Sequence, residues 1–366
     1  MSGLNRRDFL RASALAVGTI VVSSGLQGCL SSSSSDDAAR ELSFNHGVAS
    51  GDPLADRVII WTRVTPLDGR SADISVGWEI ATDAAFTDLV HSGTATTGAA
   101  RDYTLKVDAQ NLLPGTTYYY RFKAADVISP VGRMKTLPAG SIDQVRFAVM
   151  SCSNYPAGYF HVYAAAAAES ELDAVIHLGD YIYEYGNGGY ATEDAAALGR
   201  LLPDNNAGEI LTLTDYRRRY ALYRTDTDLQ SLHAAAPFIA VWDDHEVAND
   251  TWRDGAENHN EGEGDFTARK LAALQAYFEW MPVRPASAND EETIYRRFDF
   301  GDLVSLHMLD TRIIGRDEQL DYANYIGASG FDATELWDFW FGGDPSVLAQ
   351  QSVGIGEGRT ERTGAG

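Results

Sequence analysis

The chain has 366 residues, a formal net charge of −23 and 45% hydrophobic residues. This is the composition of a folded globular protein, with length for about two domains. The excess of acidic residues argues against a nucleic-acid partner, because phosphate backbones select basic faces, and it suits sites that bind cations. With two cysteines, Cys29 and Cys152, a disulfide framework is excluded.

The first 28 residues have the features of an export signal. Arg6 and Arg7 stand in a segment that resembles the twin-arginine signature, and a weakly apolar stretch over residues 12–22 follows. This stretch is too short and too rich in small residues for a stable membrane span. The segment that ends at Cys29 resembles a bacterial lipobox.

We therefore predict a signal peptide over residues 1–28 and export by the twin-arginine route. A lipid on Cys29 would anchor the protein to a membrane, in the periplasm or at the cell surface. The serine-rich residues 29–40 are expected to form a flexible tether.

Residues 41–138 contain short β-type runs separated by turn residues, which is typical of a β-sandwich. The runs cover residues 57–63, 74–80, 103–107 and 117–122. The segment 113–122 resembles the turn-and-strand signature of fibronectin III-like domains. We predict a fibronectin III-like all-β domain here, without catalytic residues of its own.

From residue 142 onward, four apolar runs end in polar or ionisable residues. They cover residues 146–150, 174–179, 238–242 and 303–309, with helix-like stretches at 159–171 and 266–280 between them. Near-continuous apolar runs are typical of buried strands, and sites in α/β sheets gather beyond the carboxyl ends of such strands. We therefore expect the four strand ends to converge on one site.

The residues at these strand ends are of the types that bind metal ions. Cys152 follows the first run, Asp180 and Tyr183 the second, Asp243, Asp244 and His245 the third, and Arg312 the fourth. Each residue alone fits a structural role, since a cysteine after a strand is often buried and Gly-Asp often forms a turn. As a set, they suit a two-metal hydrolytic centre.

The sequence as a whole, including these residues, resembles the alkaline phosphatase D (PhoD) family of calcineurin-like metallophosphoesterases. The resemblance covers about residues 43–340. It rests on a series of motifs in order, at residues 44–53, 151–153, 178–184, 242–250, 277–284 and 308–312. It implies an α/β metallophosphoesterase domain over residues 142–345, an incomplete β-sandwich flanked by helices.

The resemblance also implies roles for single residues. Cys152, Asp180 and Tyr183 correspond to ligands of an Fe³⁺ ion, with Asp180 bridging to a second metal, Ca²⁺. Asp244 would hold that second metal, with Asp243 and Asn249 as further candidates. His245 would face the phosphate, and Arg312 would clamp it or form a structural ion pair.

The implied activity is hydrolysis of phosphate mono- or diesters by a chain that we expect to be monomeric. No histidine follows His307, and a late Gly-Asp-x-His type motif of the family is missing. We therefore expect a C-terminally truncated domain with a disordered tail over residues 346–366, and leave open whether the chain is active. The alternative function is a non-catalytic surface lipoprotein that binds a partner through its β-domain.

Overall fold

The structure, a computed structural model, describes residues 21–22, 40–287, 290–319, 326–327 and 330–331. Most of the predicted signal peptide and tether, and the whole of the predicted tail over 346–366, lie outside these residues. The chain divides into two compact units, Met1–Asp317 and Glu318–Gly366.

The described secondary structure consists of eighteen strands, five α-helices and three 3₁₀-helices, Ala99–Arg101, Tyr155–Ala157 and Asp204–Asn206. Strands β1 to β18 are Val21–Val22, Leu42–Ser43, Val48–Gly51, Arg57–Arg63, Thr65–Pro66, Ile74–Ala81, Leu89–Thr97, Thr104–Gln110, Thr117–Ala124, Val127–Ile128, Gly132–Lys135, Phe147–Met150, Ala174–His177, Phe238–Ala240, Arg296–Phe300, Val304–Met308, Ile326–Gly327 and Gly330–Phe331. Helices α1 to α5 are His161–Ala167, Ala195–Leu198, Leu213–Tyr223, Thr227–Ala235 and Phe266–Trp280.

A seven-stranded sheet runs in the order β1-β8-β4-β3-β14-β13-β12. Strands β12, β13 and β14 are parallel neighbours, with Met150 opposite His177 and His177 opposite Ala240. Their carboxyl ends therefore lie side by side, as three of the four apolar runs predict. The fourth run forms β16, which pairs antiparallel with β15 in a separate two-stranded sheet.

The sheet joins the predicted β-domain to the predicted α/β domain. Strands β3 and β14 meet at one register pair, Gly51 with Phe238, and the Asp52 amide donates to the Phe238 carbonyl at 2.9 Å. A side chain at position 51 would come within 2.3 Å of the Pro282 carbonyl oxygen, so only glycine fits this junction. The predicted domain boundary at residues 138–142 thus separates two segments that share a sheet.

The second large sheet has the order β10-β9-β6-β7, with β11 also paired to β9. It packs over β4 and β8 to form a sandwich core, which includes Trp78 and Tyr120. Strand β4 is buried on both faces: Val58 and Ile60 belong to the sandwich core, whereas Trp61 belongs to the core of the α/β region. Its near-continuous apolar sequence follows from this double burial.

Helices α1, α3, α4 and α5 share a hydrophobic core with the parallel strands. Helices α3 and α5 carry side-chain caps at their N-termini. Helix α3 begins with a capping box between Thr212 and Asp215, and α5 is capped by Asp265, whose carboxylate accepts from the Ala268 amide at 2.8 Å. Helix α5 covers residues 266–280 as expected, while α1 ends at Ala167, short of the predicted 171. No helix among the described residues has the length and apolar content to cross a membrane.

Candidate active site

The ends of β12, β13 and β14 form a tightly packed platform. Cys152 and Asp180 have φ values of 57° and 55°, in the left-handed region that non-glycine residues rarely adopt. Gly179 has a φ of 108°, and a Cβ atom there would lie 2.3 Å from the Asp243 amide nitrogen. Backbone bonds from the Cys152 amide to Gly179 and from the Ser153 amide to Asp180 fix this arrangement.

Five of the residues predicted from the sequence meet on this platform. One ligand atom from each of Asp180, Asp244 and His245 lies within 4.8 Å of the others. The Cys152 sulfur lies 3.2 Å from Asp180 Oδ2, and the Tyr183 hydroxyl lies 3.4 Å from the same oxygen. The thiol of Cys152, the phenol of Tyr183, the imidazole of His245 and the carboxylate of Asp244 thus lie close to the Asp180 carboxylate.

Asp180 has the feature expected of a metal ligand. Its side chain is buried, and Oδ1 has no hydrogen-bond partner among the described residues. A buried carboxylate oxygen without a partner is costly, and a cation supplies the missing interaction. The residues present therefore fit a metal ion at this position.

The directions of the pKa shifts in the neighbouring groups also fit a cation bound at this position. Burial, with the negative charge of Asp180, raises the pKa values of Cys152 and Tyr183. Burial likewise raises the pKa of Asp244, and burial with the charge of Asp180 raises that of Glu246. A bound cation would reverse these shifts, because it stabilises thiolate, phenolate and carboxylate forms.

His245 is held by a buried glutamate. Its Nδ1 donates to Glu184 Oε2 at 2.7 Å, and Glu184 is fully buried. Burial works against protonation of His245, but the hydrogen bond and charge of Glu184 raise its pKa to about 9. Because Nδ1 is occupied, Nε2 is the nitrogen available to a substrate.

Arg312 reaches the site from the loop after β16. Its guanidinium pairs with Asp243, Nε to Oδ1 at 2.7 Å, and approaches Asp244 Oδ1 at 3.5 Å and Asp250 Oδ1 at 3.4 Å. Asp243 is therefore engaged by Arg312 and lies outside the Asp180–Asp244–His245 group. The geometry includes an ion pair, which is one of the two roles expected for Arg312.

Asn249, the other further candidate for the second metal, is hydrogen-bonded to Glu184. Its backbone amide donates to Glu184 Oε1 at 2.7 Å, and its Nδ2 donates to Glu257 at 3.0 Å. Asn258 adds a third bond to Glu184, from Nδ2 to Oε1 at 2.8 Å. In this structure, Asn249 and Asn258 support the carboxylate that holds His245.

Sequence reasoning did not single out Glu184 or Glu246. Glu246 is fully buried and accepts from the Tyr181 amide at 2.6 Å and the Asp243 amide at 2.9 Å, so it ties β13 to β14. The available signal was position, since each glutamate directly follows a predicted site residue, Tyr183 or His245. The acidic segment 254–265 contacts these residues, because Glu257 accepts from Asn249 Nδ2 and Asn258 donates to Glu184.

Comparison with known proteins gives consistent matches. The family model of the PhoD-like phosphatase matches residues 147–339, and that of the PhoD-like phosphatase N-terminal domain matches residues 29–138. Alkaline phosphatase D of Bacillus subtilis (strain 168) is 43% identical over 285 residues, which cover 75% of this chain and 48% of that protein.

A solved structure of PhoD is similar in fold as well as in sequence. It has a TM-score of 0.68 and 40% identity, over 76% of this chain and 53% of that chain. The chain thus spans about half the length of these relatives.

Proposed function

The chain belongs to the PhoD-like phosphatase family, and from this premise we propose that it hydrolyses phosphate mono- or diesters with the help of two metal ions. The observation that carries the proposal is the group of Asp180, Asp244 and His245, in which Asp180 Oδ1 is buried and without a partner among the described residues. The alternative, a non-catalytic lipoprotein, is not favoured by these matches.

The residues around Asp180 would hold the metals. Cys152, Tyr183 and Asp180 are the donors we assign to Fe³⁺, because thiolate and phenolate suit iron better than calcium. Asp180 and Asp244 are the donors we assign to Ca²⁺, which prefers carboxylate oxygens. When bound, the metals would supply Lewis acidity at the phosphoryl oxygens and make a water molecule there more acidic.

The protein's own side chains would complete the chemistry. His245, whose Nδ1 is held by Glu184, can donate a proton from Nε2 to the departing ester oxygen. Glu184 keeps the imidazole oriented and balances its charge. Arg312, anchored on Asp243, adds positive charge near the phosphoryl group as negative charge develops there.

Metal content and hydrolysis of p-nitrophenyl phosphate and its bis ester test this proposal. We expect one iron per chain with visible absorption, and Asp180→Asn should lose iron and reduce kcat/KM roughly a thousandfold. Asp126→Asn, a change of the same kind at an exposed position, is the control. A metal-free wild type, or an Asp180→Asn variant that keeps full activity, would contradict the proposal.

Localisation and architecture complete the proposal. We propose export by the twin-arginine route and lipidation at Cys29. We also propose that the protein is a monomer and that its N-terminal β region is a fibronectin III-like domain. Lysine at both Arg6 and Arg7 should retain the protein in the cytoplasm, and Cys29→Ser should move it from the membrane to the soluble fraction. Membrane-bound Cys29→Ser protein would argue against the lipid anchor.

A further inference from the structure

An exposed tyrosine stands at the outer end of a column of rings beside His245. The Tyr183 ring stacks on the His245 ring with centroids 4.1 Å apart. The Tyr190 ring stacks on Tyr183 in turn, with centroids 6.2 Å apart and an angle of 16° between the ring planes. Tyr185 flanks both ends, 5.7 Å from His245 and 6.0 Å from Tyr190. We call Tyr183, Tyr185 and Tyr190 the tyrosine ledge.

The outer ring of the ledge has no role in the core. Tyr190 is 61% exposed, whereas Tyr183 is buried and Tyr185 is partly buried. The described hydrogen bonds of Tyr190 involve its backbone carbonyl, which accepts from Asn154 Nδ2 at 3.3 Å. Asn154 lies two residues after Cys152, so the same segment that contributes the thiol also holds Tyr190.

The loop that carries Tyr190 is fixed by many hydrogen bonds. Asn187 Nδ2 donates a hydrogen bond to the Leu202 carbonyl, and the Leu202 amide donates to Asn187 Oδ1, both at 3.0 Å. The Gly188 amide donates to Thr192 Oγ1 at 3.0 Å, and Thr192 Oγ1 donates to the Gly189 carbonyl at 2.9 Å. Because hydrogen bonds fix the loop, the exposed Tyr190 ring is preorganised. This lowers the entropic cost of binding a ligand ring against it.

The buried side of the ledge is fixed as well. Arg219 is 1% exposed and donates to the carbonyl of Tyr185 at 2.8 Å and to that of Tyr183. Its other nitrogens bond the Asn206 side chain at 2.9 Å and the Gly208 carbonyl at 3.0 Å. The spacing between the tyrosines is therefore set by the fold before any ligand arrives.

We propose that the tyrosine ledge is a subsite for a flat aromatic ring attached to the ester oxygen, so that the enzyme prefers aryl phosphate esters to alkyl esters of the same charge. This inference rests on the proposed function, since it takes His245 as the group next to the leaving oxygen. The Tyr185 ring lies 5.7 Å from His245 and 6.0 Å from Tyr190, so both rings would be within reach of a substituent on that oxygen. Offset stacking on a tyrosine face favours an aromatic ring over an alkyl group.

Binding of two phosphonates to the purified, metal-containing protein tests the proposal without turnover. Isothermal titration should give a lower Kd for phenylphosphonate than for methylphosphonate, by about two- to tenfold. Tyr190→Ala should abolish most of this preference, and Tyr190→Phe should keep it, because the ring and not the hydroxyl makes the contact. Thermal melting of each variant checks that the fold is intact.

Tyr159→Ala is the matched control. Tyr159 is 54% exposed, its ring also stacks on a histidine, His161, with centroids 5.2 Å apart, and none of its described ring contacts involves a ledge tyrosine. The phenyl preference should survive in this variant. The proposal would be overturned by a wild type that binds both phosphonates equally well. It would also be overturned if Tyr190→Ala kept the phenyl preference, or lost affinity for both phosphonates by the same factor.

Ester hydrolysis, measured separately, distinguishes this inference from the proposed function. A wild type that hydrolyses no ester but loses its phenyl preference in Tyr190→Ala would support the ledge and refute the activity. An active enzyme whose preference does not depend on Tyr190 would refute the ledge alone.

Discussion

The β-rich region, residues 40–137, and the α/β region, residues 147–313, use the same rare backbone conformation in different ways. In the first, Phe86, Asn111 and Ala125 have positive φ values at turns where the chain passes from one strand to the next. In the second, Cys152 and Asp180 have positive φ values where strands end and side chains gather. At Cys152 and Asp180, the rare conformation therefore coincides with the cluster of potential ligands.

The largest expected effects test whether the two regions are thermodynamically separate. Trp61 and Trp78 are both fully buried, but Trp61 packs in the α/β core and Trp78 in the sandwich core. Replacing either by alanine should reduce the free energy of unfolding by about 3–5 kcal/mol. Because the seven-stranded sheet joins the regions, calorimetry should show one transition in both variants. Two resolved transitions in Trp78→Ala would show that the regions unfold independently.

The next effect concerns a buried carboxylate at the site. Glu184→Gln removes the charge that orients His245, so kcat/KM should fall about a hundredfold. The rate's pH dependence should also shift to lower pH, because the histidine loses the partner that raises its pKa. Glu279→Gln is the control, since Glu279 is 2% exposed and pairs with Arg217 away from the site. A similar loss of rate in both variants would mean that the effect is structural.

The seam between the regions should show an acid-sensitive contribution to stability. His46 is buried against Trp280 and lies near Arg63, Thr65 and Arg224. Burial, with the charges of both arginines, lowers its pKa to about 3. Because the unfolded value is higher, the contribution is complete above about pH 6.5 and is lost as the pH falls toward 3.

Urea unfolding at pH 8 and pH 5 measures this contribution. The wild type should lose about 2 kcal/mol more than His46→Gln between these two values. Equal losses in the two proteins would show that the His46 side chain is not buried as described.

The smallest effect is expected in the β-rich region. Glu79 pairs with Arg121 at 2.7 Å and with Lys123 on the neighbouring strand, and all three side chains are partly solvent-exposed. Glu79→Gln should change the free energy of unfolding by less than about 1 kcal/mol and leave activity unchanged. An activity loss in this variant would assign the β-rich region a catalytic role that its structure gives no reason to expect.

Strand positions and the convergence of Cys152, Asp180 and Asp244 with His245 were predictable from the sequence. Apolar runs ending in ligand-type residues are local patterns, and parallel strand ends meet by geometry. The role of Glu184 was not predictable, since it depends on bonds from His245 and Asn258, which are distant in sequence. The position of Arg312 at the site was expected from the fourth apolar run, but its partners Asp243, Asp244 and Asp250 were not, because β16 lies outside the main sheet.

The junction of Gly51 with Phe238 has a consequence for synthesis of the protein. Strand β3 leaves the ribosome early, but its neighbour β14 is translated much later, after a delay on the order of ten seconds or more at ordinary rates. During that interval, β3 is an unpaired edge able to associate with other chains. Slow or interrupted translation between these segments should therefore favour aggregation, and a chaperone that covers the nascent edge should prevent it.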